Sequence, residues 1–226
     1  MNEIVNKPKL LNRISVYIKN NTKNVIIGIL LIIFIFISFQ LYFYYEERKT
    51  LKSSIDFEII KSSNFDNKYD EIIKRISKED NFYSILTILE QIKFKLQNNE
   101  IDQAYNDYTD LITEKNLSNI YQTTIAINAS YSFLNIINNY KSKSTEINSL
   151  VDKIDTLLTF VDPTIESFKG YYLEIKYLLS IIQNENGDNK VKTETQKLYD
   201  EIMQDNMTPT ILKERVKKIH DFQIFH

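Results

Sequence analysis

Two histidines, His220 and His226, are the only imidazoles in 226 residues, and both fall in the last seven positions. Such a pair could ligate a metal or supply a catalytic base, but a frayed tail is the simpler expectation there. Carboxylates gather at Glu46-Glu47, at Asp66, Asp70 and Glu71, and at Glu185 and Asp188. The last group has the polarity of a calcium loop without the alternating acidic ligands and closing glutamate of an EF-hand. The others read as solvated helix ends, where acidic side chains suit the N-terminal dipole. No G-x-G-x-x-G, Walker loop, G-x-S-x-G or H-E-x-x-H occurs, and three glycines leave little to cradle a phosphate. Cysteine is absent, which removes disulfides, thiolate metal sites and a thiol nucleophile. The expectation is a protein with no catalytic residue, no metal and no cofactor.

Binding chemistry is better represented. Lys213, Arg215, Lys217 and Lys218 form a basic run, but Glu214 interrupts it and residues 46–226 carry 23 basic against 29 acidic side chains. Nucleic-acid binding does not fit that balance. Of fifteen tyrosines, Tyr121, Tyr131, Tyr140, Tyr171, Tyr172 and Tyr177 cluster on two segments. Tyrosine offers apolar area and a hydrogen bond together, which suits interfaces. Tyr121, Tyr131, Tyr171, Tyr172 and Tyr177 are therefore a candidate partner-binding face; the plainer alternative is that they fill a core.

What positions these residues begins with an apolar run, Val25 to Tyr45. As a helix its 21 residues would reach about 31 Å, close to the roughly 30 Å hydrocarbon thickness of a bilayer. It holds no charge, and Ser38 and Gln40 alone are polar. A cleaved signal has a shorter apolar core followed by small residues. Here the run ends in Leu41-Tyr42-Phe43-Tyr44-Tyr45, an aromatic belt. An uncleaved signal-anchor is expected. Lys7, Lys9, Arg13, Lys19 and Lys23 precede it against Glu3 alone, whereas Glu46, Glu47, Arg48 and Lys49 nearly cancel. The positive-inside rule then places the N-terminus in the cytoplasm and the remaining domain outside. The expected organisation is a basic cytoplasmic stub over 1–24, a transmembrane helix over 25–45 and an extracytoplasmic domain over 46–226. Leu10, Leu11, Ile14, Tyr17 and Ile18 recur at helical spacing, so the stub either lies on the membrane surface or is disordered.

Beyond the span, apolar residues recur with a 3.6-residue period and no sustained alternation of period two. Leu51, Ile55 and Ile59 would continue the membrane helix outward; "SSNFDN" ends it, and Tyr69, Ile72, Ile73 and Ile76 begin another. Asp80 reads as the N-cap of the next helix, with Phe82, Ile85, Leu86, Leu89, Ile92 and Leu96 on one face. Asp162-Pro163 reads as an N-cap with proline at the first helical position, and Thr208-Pro209 opens the last helix. Short polar turns would pair 82–97 with 101–115, 118–138 with 145–161, and 163–183 with 191–205. Consecutive antiparallel pairs every 35–45 residues suit an α-solenoid, with a compact bundle as the competing arrangement.

Ile101, Ala104, Tyr108 and Leu111 are spaced as in the second helix of a tetratricopeptide (TPR) repeat, which this segment resembles. Asn98-Asn99 stands where that repeat has a glycine, asparagine being the usual substitute where φ must be positive. The layout of basic stub, single span and helical-hairpin domain resembles the YfgM-type family of ancillary Sec translocon subunits. That likeness runs along "DNFYSILTILEQIKFKLQNNEIDQAYNDYTDLI" and the closing "DNMTPTILKERVKKI". It implies a bacterial inner-membrane protein with a periplasmic TPR-like α-solenoid. Its partners would be the translocon or a membrane-anchored periplasmic chaperone, and its work protein export or folding without catalysis. The alternative is a membrane-tethered sensor or regulator whose outer helices signal through the short cytoplasmic stub.

Overall fold

The computed structural model describes residues 17–63, 69–79, 81–139, 144–184 and 189–225. Leu10, Leu11, Ile14, Asp66, the Asp80 cap, Tyr140, the Glu185/Asp188 turn and His226 lie outside them. Every regular element among the described residues is helical. In chain order these are α1 (Thr22–Ser62), α2 (Asp70–Ser77), α3 (Phe82–Gln97), α4 (Ile101–Glu114), α5 (Asn119–Asn139), α6 (Ser144–Leu158), α7 (Glu166–Asn184), α8 (Asn189–Gln204) and α9 (Thr210–Phe225). The chain divides into two compact units, 1–83 and 84–226.

In the first unit, α1 runs unbroken for 41 residues and is long and apolar enough to cross a membrane. None of its most apolar window is buried. Beyond Tyr45 the same helix packs on α2, where Ile60, Ile73 and Ile76 form a small core flanked by Tyr69, Ile72 and Tyr83. Phe57 is buried beside Tyr83. Leu51, Ile55 and Ile59 continue the helix outward as expected; all three are exposed, and Ser53, Phe57 and Ile60 face inward. At 100° per residue the two sets lie on different sides of α1. The short, apolar face of α2 settles which side is covered. Polar links complete the contact, with Ser53 bonded to Glu79, Asn81 Nδ2 2.7 Å from Glu79 Oε2, and Arg75 paired with Asp56.

The second unit is built from successive packed helices. Lys95 in α3 reaches Asp107 in α4 at 2.6 Å, and Asn99 in the turn between them takes φ 62°. That left-handed backbone suits asparagine where a glycine is missing. Ala104, Tyr108, Leu111 and Ile112 bury one face of α4, and Leu150, Val151, Ile154, Leu157 and Leu158 one face of α6. α5 pairs with α6 and α7 with α8, while α5 also touches α7 and α7 touches α9. α5 and α7 are thereby covered on more than one side. Ile125, Ala126, Ile127, Ala129 and Ser130 are all buried in α5, as are Leu173, Glu174, Ile175 and Tyr177 in α7.

The turns that open α7 and α9 dock in related ways. Asp162 Oδ1 accepts from the Thr164 backbone N–H at 2.9 Å and from its hydroxyl at 2.6 Å. Asn119, at the start of α5, donates to the other oxygen of Asp162, 43 residues along the chain. This capped turn delays the regular helix to Glu166, three residues later than an N-cap at Asp162 predicts. Another 43 residues on, Asp205 accepts from Thr208 at 2.6 Å and pairs with Lys169 of α7 at 2.9 Å. Close approach at this second dock explains Gly170. A Cβ there would lie 3.1 Å from Thr208 Cγ2 and Oγ1 and 3.3 Å from Pro209 Cδ.

Two outcomes follow from this packing. Gly170→Ala gains up to about 1 kcal/mol of helix propensity, but overpacking against a tethered threonine and a fixed ring costs about 1–3 kcal/mol. A net loss, read as a lower urea midpoint at unchanged slope, is expected. The Lys169 and Thr208 hydrogen bonds hold the Asp205 carboxyl below its ordinary 3.8. Its contribution is therefore present above that value and is lost as pH falls through the depressed one. Thermal melts from pH 6 down to pH 2 should show Asp205→Asn losing less stability on acidification than the parent.

Candidate partner-binding surface

Helices α5, α7 and α9 each contribute one residue to a polar cluster. Glu174 of α7 has 0% exposure. Such a carboxylate must be paired and hydrogen-bonded, because isolated burial of the charge is prohibitive. Arg215 of α9 supplies both needs through a two-pronged contact: Nε donates to Oε1 at 2.5 Å and Nη2 to Oε2. The Tyr131 hydroxyl of α5 donates to Oε2 at 2.5 Å. The Arg215 guanidinium also lies 5.7 Å from the Tyr131 ring centroid, and Tyr171 meets Tyr131 edge-on at 6.5 Å. Burial, and then the neighbouring Glu174 carboxylate, push the Tyr131 hydroxyl far above its ordinary value. The hydrogen bond to Glu174 holds Arg215 above its own.

The spacing of the cluster is regular. Tyr131 and Glu174 are 43 residues apart, and Glu174 and Arg215 are 41. The same interval joins Tyr177 to His220, whose Nδ1 lies 3.2 Å from the Tyr177 hydroxyl. Sequence reading treats His220 as part of a frayed tail, and the structure corrects this. His220 is buried within α9 and stacks on Tyr199 of α8 at 3.8 Å and 14°.

The five candidate tyrosines separate accordingly. Tyr131 and Tyr171 are half-buried side by side. Tyr172 points into a groove of about 500 Å³ between α7 and α8, with Lys176, Thr193, Glu194, Lys197 and Glu201 around it. The Lys176 ammonium lies 5.3 Å from the Tyr172 ring centroid. Tyr177 has 0% exposure and belongs to the core between α7, α8 and α9. Tyr121 is exposed in the first turn of α5. One face thus gathers Tyr131, Tyr171 and Arg215, a second gathers Tyr172 and the mixed charges of α8, and Tyr177 stands apart from both. Among the described residues no three His, Asp or Glu side chains converge to hold a metal ion.

No family model, curated protein or solved structure matches this chain. The arrangement must therefore be read from its own chemistry. Glu174, Arg215 and His220 are the residues that sequence reasoning missed as partners. One available signal was a lone carboxylate inside the apolar run "YYLEIKYLL", which needs a cation once α7 is covered on several sides.

Removing the cation while leaving the carboxylate isolates this interaction. Arg215→Met should cost about 3 kcal/mol, the lower end for a broken buried pair because Arg215 is itself half-exposed. Glu174→Gln with Arg215→Met should cost less than the two single losses combined, as equilibrium denaturation of the four-member cycle would show.

Proposed function

We propose that this chain is a membrane-anchored scaffold for protein–protein interaction, assisting export or folding of secreted proteins near the Sec translocon. The observation that carries the reading is the contact of α5 with α7 and α7 with α9, joined at 43- and 41-residue intervals by Tyr131, Glu174 and Arg215. Successive first helices of antiparallel pairs lie in a row in a TPR-like α-solenoid, and side chains along that row supply its binding face. Half-buried tyrosines beside an arginine are the residue types that dominate protein interfaces.

The apolar surface of α1 supports the anchoring half of the proposal. Residues 25–45 form the single span, with the N-terminus in the cytoplasm and the helical domain in the periplasm of a bacterial inner membrane. Tethering keeps the domain within a few nanometres of the bilayer. Its effective concentration toward a translocon subunit or membrane-anchored chaperone rises without any new contact.

A photo-cross-linking residue at Tyr171 or Tyr172 in native membranes, followed by mass spectrometry, tests this directly. Recovery of translocon or periplasmic chaperone subunits is the expected result, with Tyr121 giving a weaker yield. Cross-links confined to cytoplasmic regulators and to residues 1–24 would replace the scaffold with a sensor that signals through its stub.

A further inference from the structure

The first unit holds a groove of about 560 Å³ just beyond the apolar run. On α1 it is lined by Tyr45, Arg48, Lys49 and Lys52, whose i, i+3, i+4, i+7 spacing stacks them on one face. Leu51 and Ile55 flank them at 58% and 53% exposure, and Arg75 of α2 closes the far side. Glu46 and Glu47 fall on other sides of the helix at 100° per residue.

The acidic groups facing the groove are already engaged. Glu79 is bonded to Ser53 and Asn81, and Asp56 is paired with Arg75. Arg48 is steered by Tyr44, its Nε donating to the phenol oxygen at 2.8 Å while the guanidinium lies 5.1 Å from the ring centroid. Among the described residues no carboxylate pairs with Lys49 or Lys52. Two ammonium groups and the outer edge of a guanidinium therefore converge beside exposed aliphatic surface.

Their height is the second observation. At about 1.5 Å per residue, Arg48 to Lys52 lie about 5–10 Å beyond Tyr45 along the axis. With the apolar run filling the hydrocarbon, that is the depth of the headgroup layer. We propose that this groove binds the phosphate headgroup of an anionic phospholipid, with Leu51 and Ile55 against the glycerol and upper acyl region. A zwitterionic headgroup brings its own ammonium into the same cationic site, so the groove selects net negative lipids. Lipid chains reach it along the exposed Ile and Phe surface of the run, a path closed to a soluble anion. The inference rests on α1 spanning a bilayer.

The test uses the full chain in nanodiscs of phosphatidylcholine containing one-fifth phosphatidylglycerol. Native mass spectrometry then counts co-purified lipid. The parent should retain phosphatidylglycerol well above its bulk share. Arg48→Gln with Lys49→Gln and Lys52→Gln should lose that enrichment, by about fivefold for each charge removed. Lys61→Gln, a basic residue of α1 outside the groove, should leave it unchanged. Equal enrichment in parent and triple variant overturns the proposal. Displacement of the lipid by millimolar inorganic phosphate would mark a free-anion site and overturn it as well, as would cross-linking of Lys49 and Lys52 to an acidic protein segment. Carbonate extraction of native membranes separates the two levels. Release of the chain sinks the anchoring itself, whereas a retained chain without lipid enrichment sinks only the headgroup site.

Discussion

A fully covered carboxylate constrains the second unit more than any apolar contact. Glu174 loses its water when α7 is enclosed, and only a cation and a hydroxyl in fixed positions can replace it. The cation comes from α9 and the hydroxyl from α5, so all three helices must be in register before the charge is satisfied. Leucines tolerate sliding by a fraction of a turn; this arrangement does not. The apolar residues around it supply most of the driving force, and the ionic cluster selects which of several similar packings they adopt.

The same requirement recurs with different chemistry at the turns. Asp162 ties the opening of α7 to the start of α5, and Asp205 ties the opening of α9 to the start of α7. Each dock is held by polar side chains around an aspartate, beside the proline that opens the helix. A chain with three glycines and three prolines can therefore still build reproducible corners. Gly170 is the exception, placed where a Cβ would crowd the side chains of Thr208 and Pro209.

Much of this organisation was legible in the sequence. The period of the apolar residues locates the helices, and Ile101, Ala104, Tyr108 and Leu111 mark the buried face of α4 together with the asparagine turn before it. What escaped has a common physical origin. Periodicity reports one covered face, whereas α5 and α7 are covered on several sides, so Glu174 reads as a solvated residue until its neighbours are known. His220 was hidden because proximity to a chain end says nothing about whether an aromatic partner such as Tyr199 waits there. On α1 the expected continuation holds, and only its covered side was not legible. Leu51, Ile55 and Ile59 keep perfect helical spacing yet remain uncovered, because α2 is short and meets the adjacent side. The division of the candidate tyrosines follows the same logic, since Tyr171 and Tyr172 are adjacent in sequence but 100° apart around the axis.

The unbroken course of α1 has a mechanical meaning. A single helix with no break between its apolar run and the residues that hold α2 behaves as an axle. The azimuth at which the apolar run settles in its surroundings dictates the azimuth of α2. One residue inserted between Tyr45 and Ser53 would swing α2 through about 100° and raise it by about 1.5 Å, with the packing of Phe57 and Ile60 preserved. The length of that short stretch, more than its composition, is thus a phase setting between two surroundings of opposite polarity.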